Sequence, residues 1–195
     1  MAKNKTPIKR KRTDGVLSGF SKLTKNTQEY FKDIPRLLED KYDSYIVLSA
    51  LFSLIEKGQN EALYLGITKR HRTMITLTRE RVSRQHMTRK GFKVFFNAVF
   101  NADIPEDIVN LMNGPENMRD SILHGKKCKK SDILGAIWSA LQYADEMNKF
   151  LWDKFKIKPY GSNKGGRGQV KPLTHHTTVL ILDGIFSRDT KKESI

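Results

Sequence analysis

Between residues 44 and 57 apolar side chains crowd nearly every helical face, with Tyr45, Ile46, Val47, Leu48, Leu51, Phe52, Leu54 and Ile55 in sequence. A surface helix keeps one polar side, so this segment predicts a central, buried helix capped by Asp43 or Ser44. Upstream, Gln28 to Asp40 predicts a short amphipathic helix that Pro35 kinks or splits. Residues 60–77 read two ways: Leu63, Leu65 and Ile67 alternate as in a strand, whereas Glu61-Ala62-Leu63 favours helix. From Thr78 to Phe100 one helix is expected, with arginines in its outer turns and Phe92, Phe95, Phe96, Val99 and Phe100 on its inner face. Asp103-Ile104-Pro105-Glu106 has the spacing of a capping box with Pro in the first turn. It predicts a short helix to Met112, stopped by Asn113-Gly114. Pro115 then opens another, carrying Met118 and Ile122 and ending near Gly125. The last long helix is capped by Ser131. Its stripe is Ile133, Ile137, Leu141, Ala144, Met147, Leu151 and Phe155, with Leu134 and Trp138 beside it. Pro159-Tyr160-Gly161 ends it, and Leu173 to Phe186 is expected to dock as a final short helix or strand. The pattern is all-α, with about four core helices and short additions, and no internal repeat.

Charge divides the chain further. Four stretches, 1–12, 66–93, 126–130 and 154–171, hold 25 of the 36 Lys and Arg and one of the 21 acids. The remainder is therefore mildly acidic, and the net charge of +15 is clustered by position. Such clusters attract polyanions, which points to a nucleic acid or another phosphate-rich partner over a merely solvated basic face. Residues 1–26 read as a flexible basic arm, 27–158 as the helical domain, and 159–195 as a Gly-rich basic linker with a docking segment. At 195 residues the chain can bury a core without staples. Its single cysteine, Cys128, excludes an internal disulfide framework and a Cys-based zinc site. The longest apolar run, Tyr45 to Leu51, is too short to cross a bilayer, and no apolar segment of a secretory signal follows the basic start. A soluble, cytoplasmic protein without a membrane partner is expected.

One segment carries candidate chemistry, Arg119-Asp120-Ser121-Ile122-Leu123-His124, followed by Gly125 and by Lys126, Lys127, Lys129 and Lys130. On composition, an Arg and a His near a helix end mean a salt bridge and a charge on the helix dipole. The segment also resembles the signature of the HEPN superfamily, an Arg, usually a polar residue after it, then a His beyond four to six intervening residues. A capped helix before it and a long amphipathic helix after it suit the same likeness, which covers residues 42–156. The resemblance implies a four-helix HEPN-like bundle and a metal-independent endoribonuclease working as a homodimer, of the kind found in toxin modules and antiviral defence. It implies Arg119 and His124 as catalytic and Asp120 as the supporting polar residue.

That chemistry suits the residue types. Metal-free RNA cleavage needs a base for the 2′-OH, an acid for the leaving 5′-oxygen and a cation on the phosphorane-like transition state. His titrates near neutrality, and Arg stays charged and grips two phosphate oxygens. The expected products are a 2′,3′-cyclic phosphate and a 5′-OH. Residues five apart on a helix point about 140° apart. Either the helix ends near Leu123 or the working site combines two chains.

RNA binding is assigned to Lys126, Lys127, Lys129, Lys130, Arg79, Arg81, Arg84, Arg89 and Lys90. His175-His176 lacks further ligands at metal spacing, and no cofactor is expected. His71 and His86 are expected to meet phosphate or solvent, and Trp138 and Trp152 to pack in the core. Gly161 to Gly168 lacks the Gly-Lys-Ser/Thr ending of a phosphate loop and reads as a linker. Competing readings are a non-catalytic RNA- or DNA-binding helical module, alone or within a larger complex, and a helical adaptor for an acidic protein.

Overall fold

The computed structural model describes residues 9, 11–85, 87–161 and 171–187. Among them lie nine helices and no strand, so the chain is all-α. In order they are α1 (Thr13–Phe20), α2 (Lys25–Tyr30), α3 (Asp33–Glu39), α4 (Ser44–His71), α5 (Ile75–Ser83), α6 (Arg89–Phe100), α7 (Glu106–Leu123), α8 (Lys130–Phe155) and α9 (His175–Phe186). They form two compact units, residues 1–55, 105–154 and 160–162 in the first and the remainder in the second, with α4 contributing to both.

The first unit is organised along α8. Its predicted stripe is buried at Ile133, Ile137, Leu141, Ala144, Met147 and Leu151, and on α4 Val47, Leu48, Leu51, Phe52 and Ile55 are buried too. The expectation that this part of α4 is enclosed on all sides fails at Tyr45 and Ile46, which stand 47% and 41% exposed. Residues 13–20 and 25–26, read as part of a flexible arm, are helical, the latter as the start of α2. The arm's end is pinned by the Lys11 N–H, which donates to the Ser131 carbonyl at 3.1 Å, while its ammonium lies 5.3 Å from the Trp138 ring centre. Gly19 lets α1 approach Trp138, since a Cβ there would overlap the indole. Trp152 is 47% exposed, against the expectation that it packs inside.

A buried polar cluster closes this unit. Asp145 accepts from the Thr24 hydroxyl at 2.6 Å and from its N–H at 3.0 Å, and Lys149 lies 2.9 Å from its other oxygen. One turn on, Asn148 donates to the Tyr160 carbonyl at 2.7 Å and accepts from the Tyr160 N–H at 3.0 Å. The Tyr160 ring is fully buried and stacks on Phe31 at 5.8 Å.

In the second unit α9 packs on α5 and α6, with Phe186 edge-on to Phe95 at 5.1 Å. Phe92, Phe95, Phe96, Val99 and Phe100 are all buried, as their spacing predicts. Gly66 allows close contact between α4 and α6, because any Cβ there would run into Val99 and Phe100. Segment 60–77 is helical to His71, with Leu63 and Ile67 fully buried one turn apart. The single helix expected over 78–100 is interrupted, and Thr88 starts α6 anew by accepting from the Gly91 N–H at 3.0 Å. The C-terminal segment resolves to helix, its entry fixed by the Leu173 N–H on the Arg72 carbonyl at 2.8 Å.

Candidate functional site

Arg119 and Asp120 belong to the last turns of α7, and His124 is the residue that caps it. Asn113-Gly114 is expected to stop a helix, yet α7 runs unbroken from 106 to 123 with Pro115 inside it. A proline at 115 has no N–H to give the Leu111 carbonyl four residues back. That carbonyl is served instead by the Ser139 hydroxyl of α8 at 2.7 Å. The expected capping box is also absent: Asp103 accepts from the Asn97 side chain at 2.9 Å, and Pro105 takes the cap position.

The end of α7 is geometrically sharp. The Lys126 N–H reaches the Ser121 carbonyl at 2.9 Å and the Gly125 N–H reaches Ile122 at 2.9 Å, with Gly125 at φ +68°. This pair of bonds and a left-handed glycine close the helix as a Schellman turn. It sets His124 at the last helical position and throws the lysine run outward.

The two proposed catalytic side chains are not brought together within one chain. Arg119 is half-buried, its guanidinium carbon 4.5 Å from the ring centre of Phe52 on α4. Phe52 itself is buried, and nothing in its own spacing marks it as the floor of an arginine. His124 is exposed, and its imidazole makes no hydrogen bond or ion pair among the described residues. Asp120 is exposed, and Leu123 beside it is 73% exposed. Arg119 thus packs inward on α4, whereas His124 is exposed at the cap of α7.

Lys126, Lys127, Lys129 and Lys130 are all exposed, and Cys128 is half-buried with its thiol on the Lys126 carbonyl at 3.4 Å. Lys130 lies in the first turn of α8, where the helix dipole is already positive. The arginines of the other basic stretch are committed differently. Arg79 lies 3.6 Å from Glu61 and 3.9 Å from the Tyr64 ring centre, Arg81 pairs with Asp183 at 3.0 Å, and Arg84 pairs with Glu80. Lys90 is exposed, and the side chain of Arg89 lies outside the described structure, as do His86, residues 1–8 and 162–170. His71, expected to face phosphate or solvent, is tied to the Val99 carbonyl at 3.2 Å. Among the described residues no three His, Cys, Asp or Glu converge as metal ligands, and His175 and His176 stand exposed at the start of α9. No helix among them is long and apolar enough to cross a membrane. Comparison with family models, with curated proteins and with solved structures yields no match to this chain.

Proposed function

We propose that the chain is a metal-independent endoribonuclease of HEPN type, a defence or toxin effector that acts as a homodimer on a four-helix HEPN-like core. The observation that carries this reading is the end of α7, where an exposed His124 follows a half-buried Arg119 and precedes four exposed lysines. A phosphodiester arriving there meets cations before and after an exposed imidazole, the residue type suited to proton transfer. Arg119, held against Phe52, is restrained before RNA arrives, which lowers the entropy lost when it grips a phosphate.

In the proposed reaction the 2′-OH attacks phosphorus and its proton passes to one imidazole, while the P–O5′ bond breaks and O5′ takes a proton from another. The electron pair of the broken bond leaves on O5′, so a cyclic phosphate and a 5′-OH result with no net redox change. Since Arg119 and His124 diverge in one chain, this reading takes a second copy to supply the facing pair.

The test is incubation of total RNA with the full chain in EDTA, with end-group analysis of the products. The expected result is cleavage that His124→Ala reduces by about 10²–10⁴ with RNA affinity little changed. Arg119→Ala is expected to lower both cleavage and affinity, because its cation acts on ground state and transition state alike. Cleavage that disappears in EDTA or survives His124→Ala overturns the assignment. A non-catalytic RNA- or DNA-binding module is the second reading, favoured by the packing of Arg119 on Phe52. It predicts RNA binding without cleavage, and loss of stability in Arg119→Ala.

A further inference from the structure

The first unit holds a recess of about 440 Å³ between α7 and α8, along the N-terminal half of α7. Asp107, Asn110, Leu111 and Gly114 line it from α7, and Gly135, Trp138, Ser139 and Gln142 from α8. Both sets follow the same spacing, so each is one face of its helix. Gly114 and Gly135 put no side chain into the space between the helices, which keeps it open at the size of a small-molecule site. Lys9 and Lys11 complete the lining from the segment before α1. Lys11 is fixed at this place by its N–H on the Ser131 carbonyl at 3.1 Å.

Three kinds of group meet here. Trp138 is half-buried, and α1 backs its six-membered ring so closely that a Cβ on Gly19 would overlap it. A ring held in this way is a ready platform for stacking. The Lys11 ammonium, 5.3 Å from the ring centre, and exposed Lys9 supply positive charge beside it. The exposed Asp107 carboxylate only accepts hydrogen bonds. Asn110 takes the Asn113 amide on its Oδ1 at 2.8 Å and so has N–H left to donate, and the Gln142 amide does both. A ligand that uses all of these is planar and anionic and carries an N–H donor beside an acceptor. An acidic peptide brings the anion without the plane. A phosphotyrosine brings plane and anion but no ring donor for Asp107. A nucleotide whose base bears an exocyclic amino group brings all three, and a purine covers more of the indole than a pyrimidine does.

We propose that this recess binds an adenine or guanine nucleotide. The base stacks on Trp138 in place of the Lys11 ammonium, its amino group donates to Asp107, and its phosphate meets Lys9 and Lys11. The site involves neither Arg119 nor His124, and the inference stands whether or not the chain cleaves RNA. The same unit of base, ribose and phosphate occurs free and within RNA, and the experiment separates the two sources.

The full chain carrying Trp152→Phe retains Trp138 as its single tryptophan. Its fluorescence is followed during titration with AMP, GMP, IMP, UMP, adenosine and oligoadenylate, and calorimetry with AMP on the unaltered chain checks the substitution. AMP and GMP are expected to quench it, with IMP, which lacks the amino group, about tenfold weaker. Adenosine, without a phosphate, is expected to bind more weakly than AMP. Asp107→Ala is expected to bring AMP and GMP down to the level of IMP, and Lys9→Ser with Lys11→Ser to bring AMP down to adenosine. Unchanged melting temperatures in these variants separate lost recognition from lost folding. Saturation by oligoadenylate at lower concentration than AMP assigns the site to a nucleotide of RNA, and binding of AMP alone assigns it to a free nucleotide; either upholds it. Equal quenching by AMP, IMP and UMP overturns recognition of the base, and no binding of any nucleotide overturns the site. A phosphotyrosine peptide that quenches where AMP does not overturns it in favour of a peptide. RNA cleavage in EDTA, assayed on the same preparations, persists or fails independently of these outcomes.

Discussion

Asp145 is a carboxylate only 4% exposed that stays in its charged form. Burial by itself raises its pKa, but the Thr24 hydroxyl, Lys149, Thr27 and the Thr24 N–H together hold it below its ordinary value of 3.8. A folded-state pKa below the unfolded one contributes stability that is present above the unfolded value and lost as pH falls through the folded one. Asp145→Asn is therefore expected to lower stability at neutral pH by on the order of 1–3 kcal/mol. The gap from wild type should narrow at acid pH, as the pH falls below 3.8 and the native carboxylate is protonated in its turn. Denaturant titrations at the two pH values check this, and a gap independent of pH contradicts it. Of this cluster the sequence reveals only half. The α8 stripe shows that Ala144 and Met147 point inward, and so that Asp145 and Asn148 lie near the buried side. It carries no sign of Thr24, 121 residues away, because periodicity reports a face and not its partner.

At the scale of elements, local punctuation is what misleads. Asn113-Gly114-Pro115 stops a helix by every local rule, and Leu63, Leu65, Ile67 alternate like a strand. Both segments are helical because tertiary partners supply what local chemistry lacks: Ser139 for the carbonyl that Pro115 abandons, and enclosure for a stretch of α4 buried at 62, 63, 65 and 67. Conversely, the break at 84–88 was unreadable beneath a continuous helical pattern. A double-mutant cycle tests this exchange of partners in α7. Ser139→Ala alone orphans the Leu111 carbonyl and is expected to cost about 1–2 kcal/mol. In a Pro115→Ala background residue 115 regains its N–H, and the same change is expected to cost a few tenths of a kcal/mol. Equal costs in both backgrounds, measured by thermal or denaturant unfolding, contradict the exchange of partners. The candidate site lies beyond this repair, with Arg119 and His124 both near the C-terminal end of the uninterrupted helix. The motif, its glycine and its lysines were legible in the sequence; the inward turn of Arg119 onto Phe52 was not, as it depends on α4 lying beside α7.

For the whole molecule, net charge overstates the positive charge available to a polyanion. Arg79, Arg81 and Arg84 are each paired with an acid, whereas Lys126, Lys127, Lys129 and Lys130 have no such ion pair among the described residues. RNA affinity is expected to fall steeply with salt, as bound cations release condensed counterions. Replacing Lys126, Lys127, Lys129 and Lys130 with Ser is expected to flatten the logarithmic salt slope by up to about 3, near 0.7 per single-strand phosphate contact. Replacing Arg79, Arg81 and Arg84 should flatten it less, because their partners already neutralise them. Binding titrations across a salt series check the order, and an equal or larger effect from the arginines reverses it. The positions of the cations were legible in the sequence, but their pairing was not, since Arg81 and Asp183 are 102 residues apart.

The first unit is assembled from three separate stretches of chain, and this sets a clock on its synthesis. Thr24 emerges from the ribosome 121 residues before Asp145, the carboxylate it will cap. At about 5–20 residues per second that is a wait of roughly 6–24 s, long against the microseconds in which α1 to α3 form and fray. Throughout it Phe31 has no Tyr160 to lie against. The buried lock among Thr24, Asp145, Asn148 and Tyr160 thus closes only after Tyr160 has emerged, long after the helices that Thr24 joins have been made.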